Sequence, residues 1–333
     1  MSFFSRISQV AAHVPDARQT GDEIEERLRD RNPHLSVPSG LLRQLYGFEA
    51  RPLAPAGTLP SDLATAAGRR ALADAGLTAD SVDLLLYAGI SEDVEEPATA
   101  HIVADRLGVH APVFDVKNAC NGMLNGLQVA DALVRDGQCR RALVVTGELG
   151  SRVAGWDVPD RRELALRLPA FTTGDLGAAL LVEAAATPGI LGTYFTANSA
   201  GWRAATLGNP HFGPDDPAHA RIRIDSDALL ASFAGMETSA RDALHALGHK
   251  VDDLAVVCVH QASVPFTQAF CDALGVRPDQ IALTFPRHGN ATTASLPLQL
   301  AEALADGRLR RGDLVGLFGL ASGASGGVVL VRW

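Results

Sequence analysis

The chain has 333 residues, 47% of them hydrophobic and 20% charged, with 29 basic against 38 acidic side chains. That balance excludes intrinsic disorder, and the presence of only two lysines, Lys117 and Lys250, argues against the basic patch that nucleic-acid binding requires. No apolar run reaches the roughly 18 residues of a transmembrane helix, and the opening MSFFSRISQVAAHVP lacks the basic region, continuous apolar core and cleavage site of a signal peptide. A cytoplasmic protein, acting on neither nucleic acid nor membrane, is expected.

The elements that follow come in a repeated order. Residues 68–91, GRRALADAGLTADSVDLLLYAGIS, read as a helix, a Gly stop, a polar connection and an apolar strand, and residues 240–263, ARDALHALGHKVDDLAVVCVHQAS, read the same way. HIVADRLGVHAPVFDV at 101–116 and AFCDALGVRPDQIALTF at 269–285 are again helix, Gly and strand. CRRALVVTGE and RGDLVGLFGL form a third pair, each followed by a further strand, GAALLVEA and GGVVLVRW. Three pairings in one order point to duplication, with halves at 1–185 and 186–333. The strands DLLLYAG and LAVVCVH are apolar without alternation, so they are expected to be buried on both faces between helix layers. The fold class is therefore α/β, a duplicated sandwich. The segment 198–217, NSAGWRAATLGNPHFGPDDP, reads as an irregular connection between the halves.

The four cysteines, Cys120, Cys139, Cys258 and Cys271, show no C-x-x-C pairing, which excludes a zinc knuckle and a disulfide framework. Cys258 and Cys271 belong to an apolar strand and a helix, and Cys139 to a charged turn. Cys120 differs. It follows the strand VFDV and precedes a helix with Met123, Leu124, Leu127, Ala130, Leu133 and Val134 at helical spacing. A thiol at a helix N-terminus is expected to have a lowered pKa, and the same N–H groups can hold an oxyanion. His260 ends the buried strand LAVVCVH at a loop, where catalytic groups concentrate. Asn290, in RHGNATTASLPLQLAEAL, occupies the place in the second half that Cys120 occupies in the first, between a strand and a helix; it reads equally as an N-cap. The Gly- and Ser-rich turn in GLASGASGGVVLVRW offers backbone N–H groups at Ala321 to Gly323. G-x-G-x-x-G, G-K-[ST] and G-x-S-x-G are all absent, which removes the anchors of dinucleotide, nucleotide and α/β-hydrolase readings.

NAC before a helix, VHQAS, RHGNATTASLP and the final Gly-rich hairpin together resemble the thiolase superfamily, in its β-ketoacyl carrier-protein synthase III branch. The resemblance spans essentially the whole chain. It implies a homodimer of five-layer αβαβα subunits, with Cys120 as acyl-accepting nucleophile, His260 and Asn290 completing a triad, and the backbone of Cys120, Ser322 and Gly323 as oxyanion hole. It implies no cofactor beyond the substrate, an acyl thioester of acyl carrier protein or coenzyme A. Leu41 and Leu45 stand where common members carry a Trp and an Arg that grip coenzyme A, which favours a carrier-protein donor; Arg43 or Arg51 remain as phosphate ligands. The stretch EEPATAHIVADRLGV, with Gly147, Glu148, Ser151 and Arg152 further on, is similar to the branch of head-to-head thiolases and interconnecting polyketide ketosynthases, in which a Glu serves the partner subunit's site as base. The matching residue is Glu96, which also reads as part of a solvated loop. Three readings stay open on this scaffold: a ketosynthase joining two acyl thioesters, an acyltransferase to an alcohol or amine, and a non-catalytic partner subunit. Lys117, three residues before Cys120, reads as a surface or dimer-contact residue.

Overall fold

The computed structural model describes residues 4–212 and 221–333. Two sheets and two buried helices organise the chain. The first sheet orders its strands as Phe4–His13, Asp175–Ala185, Arg141–Leu149, Leu84–Tyr87 and Val113–Asp115. The second runs Ile190–Ala197, Ser325–Arg332, Leu314–Ala321 and Val256–Val259. Position for position the orders match, including a parallel pair at the same place: Leu84–Tyr87 lies along Arg141–Leu149, and Val256–Val259 along Leu314–Ala321.

Helices Pro60–Asp74 and Thr99–Leu107 cover the outer face of the first sheet, where Ala64, Ala67, Ala71 and Val103 pack on Leu85, Leu143 and Leu181. Helices Met236–Ala246 and Val264–Leu274 do the same for the second, with Leu244 and Cys271 on Val257, Val259 and Phe318. Between the sheets lie Gly122–Arg135 and Ser295–Ala305, whose Leu124, Leu127, Leu296 and Leu300 share one core with Leu86, Val144, Cys258 and Leu317. Successive strand residues thus feed alternate layers, and both are apolar; this is why Leu84–Tyr87 and Val256–Val259 are buried throughout.

Two expectations need correction. IALTF forms no strand: only Ile281 bridges to Val257. The next residues are held by the buried side chain of Gln261, whose Oε1 accepts from the N–H groups of Thr284 (3.0 Å) and Phe285 (2.9 Å), while its Nε2 donates to the Ala282 carbonyl (2.8 Å). A side chain therefore replaces the ladder, and Pro286 could not have donated to it. The expected connection at 198–217 carries structure, namely a 3-10 turn Ser199–Ala204 and a strand Ala205–Leu207 paired with Ile222–Ile224; its residues 213–217 lie outside the described residues. Among the described residues no helix is long and apolar enough to cross a membrane.

Candidate active site

The helix that follows Cys120 begins at Gly122, with Asn121 as its N-cap residue. Glycine is needed there, since a Cβ would sit 2.6 Å from the Ala88 carbonyl oxygen and 3.2 Å from Thr293 Cγ2. The helix after Cys120 thereby starts in contact with the turn that follows Asn290. Asn121 is fully buried, and its Nδ2 donates to the carbonyl (3.1 Å) and hydroxyl (3.0 Å) of Ser325, at the foot of the final hairpin. Its Oδ1 lies over Gly319, where a Cβ would come within 2.1 Å, and it has no hydrogen-bond partner among the described residues.

His260 belongs beside this group. Its N–H continues the parallel ladder by donating to the Phe318 carbonyl (2.9 Å), which makes Gly319 its neighbour in register. By alternation it faces the same central layer as Cys258. Gly319 thus links the two elements: Asn121, next to Cys120, packs over it, and His260 neighbours it in register. The ring is 4% exposed, and Nδ1 has no hydrogen-bond partner among the described residues. Burial pushes the imidazole down to about 4, so it is neutral at pH 7.

Asn290 is fixed by its backbone, which donates to Thr172 (2.9 Å) and accepts from Gly174 (3.1 Å). Its Oδ1 accepts from the Thr292 N–H (2.9 Å), but Asn290 is not the N-cap expected from sequence: Ala291 caps the 3-10 turn Thr292–Ala294 and Ala294 the helix Ser295–Ala305, while Nδ2 of Asn290 makes no bond among the described residues. It follows a short helical turn, Phe285–His288, and not a strand. The final turn spans Ser322 to Ala324, between the paired residues Ala321 and Ser325. Among the described residues, the N–H groups of Cys120, Ser322 and Gly323 make no hydrogen bond to another main-chain group outside the helices and strands. Three non-glycine residues among those described have positive φ, namely Ala119 (45°), Thr292 (49°) and Ala324 (48°). One adjoins Cys120, one lies two residues past Asn290, and one adjoins Gly323. Such strain is held in place by the structure around it and collects at functional sites. A cavity of about 500 Å³ opens between the nucleophile's loop and the hairpin, lined among others by Asn118, Trp202, Gly323 and Ser325.

The expected lowering of the Cys120 thiol pKa is overturned. Burial, with the Glu148 carboxylate beside it, pushes the thiol up to about 12, against the pull of its own backbone N–H. Desolvation of a thiolate outweighs the helix end. Arg51 is likewise no phosphate ligand. It is fully buried, donating to the Thr173 carbonyl (2.9 Å) and to Gln19 Oε1 (2.7 and 3.1 Å). Arg43 is exposed. Leu45 is also exposed, and Leu41 half-buried. Lys117 pairs with Glu92 at 2.5 Å on the surface. Glu96 is exposed on its protomer, in the loop before helix Thr99–Leu107. Cys139, Cys258 and Cys271 are buried free thiols. Sequence reasoning missed the structural work of Asn121, Gln261 and Glu148; the signal available was a polar side chain inside an otherwise apolar, buried stretch.

A duplicated α/β sandwich with Cys, His and Asn at the seam of its halves defines a thiolase-type protein. The family model for 3-oxoacyl-[acyl-carrier-protein] synthase III matches residues 114–199, and its C-terminal counterpart matches residues 244–333. The chain belongs to this family. It is 33% identical to a β-ketoacyl-[acyl-carrier-protein] synthase III of Bordetella petrii, over 99% of this chain and 98% of the relative. It is 32% identical to an acyl-CoA:acyl-CoA alkyltransferase of Xanthomonas campestris, over 94% of each. The solved structure of Xanthomonas campestris OleA, in a cysteine-to-serine form with bound lauric acid and lauroyl-CoA, superposes with a TM-score of 0.90 at 30% identity and full coverage of both chains.

Proposed function

We propose that this protein is a condensing acyltransferase that stores an acyl group on Cys120 and joins it to a second acyl thioester. What supports this reading is that Asn121, next to Cys120, packs over Gly319, the register neighbour of His260, and that Gly122 abuts Thr293 of the Asn290 turn, with strained backbone at Ala119, Thr292 and Ala324. The resting pair is a thiol and a neutral imidazole. Attack on a thioester carbonyl forms the new carbon–sulfur bond as the thiol proton passes to His260. The N–H groups of Cys120, Ser322 and Gly323 hold the oxyanion, and the first carrier's carbon–sulfur bond breaks, its thiolate taking the proton from His260. The second thioester becomes a carbon nucleophile by losing carbon dioxide or an α-proton, and the Asn290 amide and the His260 ring hold its carbonyl. Its carbon attacks the acyl carbonyl, the bond to Cys120 breaks, and a β-keto thioester leaves. Acyl carrier protein and coenzyme A are the candidate carriers, the place of action is the cytoplasm, and no step needs a cofactor beyond these thioesters. The halves fall at 1–185 and 186–333.

Glu96 is the candidate base for α-proton removal, acting in the site of a second copy. Strand Val113–Asp115 is the open edge of its sheet, with Phe114 40% exposed. Asp115 on that edge accepts from the N–H groups of Thr99 (2.9 Å) and Ala100 (2.8 Å), which ties the loop of Glu96 to it. Pairing of two such edges makes a homodimer with Glu96 at its seam. The test is intact mass after incubation with lauroyl-CoA, then product mass and carbon dioxide release with paired thioesters. An adduct in the wild type and none in C120A is expected. An adduct retained by C120A would overturn the nucleophile, and transfer only to alcohols or amines would overturn condensation. Full condensation by E96Q would remove Glu96 as base.

A further inference from the structure

Glu148 is 1% exposed on strand Arg141–Leu149, among otherwise apolar neighbours. Its Oε1 accepts from the Ile90 N–H (2.9 Å), the Thr293 hydroxyl (2.6 Å) and the Thr146 hydroxyl (3.3 Å). Its Oε2 accepts from the Ser91 N–H (3.2 Å) and hydroxyl (2.9 Å). The Ser91 hydroxyl is itself oriented by the Leu149 N–H (3.1 Å), and the Thr146 and Thr293 hydroxyls bond each other at 2.7 Å. The two backbone N–H groups can only donate, whereas the Thr146 and Thr293 hydroxyls share two protons among three contacts; burial raises the Glu148 carboxyl above its ordinary range, against the pull of these hydrogen bonds. None of these partners carries a positive charge. The titratable groups around the carboxylate are Tyr87, which donates to the Gly147 carbonyl (2.8 Å), and Cys120.

The partners come from both halves of the chain. Ile90 and Ser91 open the loop that carries Glu96, Thr146 lies on the same strand as Glu148, and Thr293 follows Asn290 by three residues. Thr293 also abuts Gly122, at the start of the nucleophile's helix.

We propose that Glu148 is a positioning residue, a buried anion that couples the nucleophile to the turn carrying Asn290. Through Thr293 it holds that turn against Gly122, and through its charge it keeps the Cys120 thiol protonated until a substrate is in place. The coupling to Asn290 rests on the condensation reading above; the effect on the thiol does not. The full-length protein is alkylated with iodoacetamide between about pH 7 and 11, and the Cys120 adduct is quantified by peptide mass. In E148Q the alkylation rate at a given pH below the midpoint is expected to rise about ten-fold, a shift of about one pH unit. In T293V, which keeps the carboxylate, acyl loading on Cys120 stays at the wild-type level, while transfer to the second thioester falls about ten-fold and T293S restores it. An unchanged alkylation profile in folded E148Q, or unchanged transfer in T293V, would overturn the proposal, and T293V decides it alone if E148Q does not fold. A wild-type protein that takes no acyl group on Cys120 would overturn the functional reading, and that failure shows in the wild-type arm.

Discussion

The two halves of the molecule share one strand order and differ where chemistry is placed. In register, Ala88 of the first half corresponds to His260 of the second, since each immediately follows the strand parallel to its neighbour, and Thr146 corresponds to Gly319. The first half therefore packs a methyl group where the second carries an imidazole. The second half leaves a gap at Gly319, and Asn121 of the first fills it. The first sheet also has a fifth strand at Val113–Asp115, whereas the corresponding segment of the second is held by Gln261. The two sheets supply a symmetric frame; Cys120 stands in one half and His260 and Asn290 in the other, so the proposed site needs both.

The largest expected effect separates those roles. H260A should slow acyl loading by about a thousand-fold or more, while N290A should leave loading nearly intact and reduce carbon–carbon bond formation by about a hundred-fold. Single-turnover loading followed by intact mass, alongside product formation, checks both, and equal losses in both steps for both variants would erase the division of labour.

Next is a pH effect that the Ala88 half does not share. Burial takes His260 from its ordinary 6.5 down to about 4. Between those values the unfolded chain binds a proton that the folded chain does not, so stability rises with pH through this window and is lost as pH falls. The full swing is about 3 kcal/mol. Urea unfolding at pH 7 and pH 4 should show H260Q losing less stability on acidification than the wild type.

Smaller again, Q261A would strand the N–H groups of Thr284 and Phe285 and cost about 2 kcal/mol in thermal or urea unfolding. A cost below about 0.5 kcal/mol would mean that the missing strand needs no substitute. The smallest effect belongs to K117A, which removes an exposed ion pair to Glu92 and should change stability by less than about 1 kcal/mol.

Much of this was legible in the residues. Periodicity from Met123 to Val134 located the nucleophile's helix, and the unbroken apolar runs at Leu84–Tyr87 and Val256–Val259 announced strands covered on both sides, because such runs bury only between two layers. The expected IALTF strand went wrong because propensity does not register a competing side chain, here Gln261, reaching from another part of the fold. Comparing CRRALVVTGE with RGDLVGLFGL residue by residue also sets the two strands one place out of their spatial register, pairing Gly147 with Gly319 instead of Thr146.

By itself the sequence determined the duplicated α/β architecture, the elements bearing Cys120, His260 and the final hairpin, and a protein of thiolase type. These rest on local periodicity and on residue types that a chain carries wherever it folds. Only the tertiary structure decided that the Cys120 thiol is raised instead of lowered, that Arg51 is sealed inside, that Asn121 spans the seam, and that Glu148 is a buried carboxyl group held by both halves. Each of those depends on desolvation or on groups far along the chain, such as Ser325 for Asn121 and Thr293 for Glu148, and such separations carry no local signature.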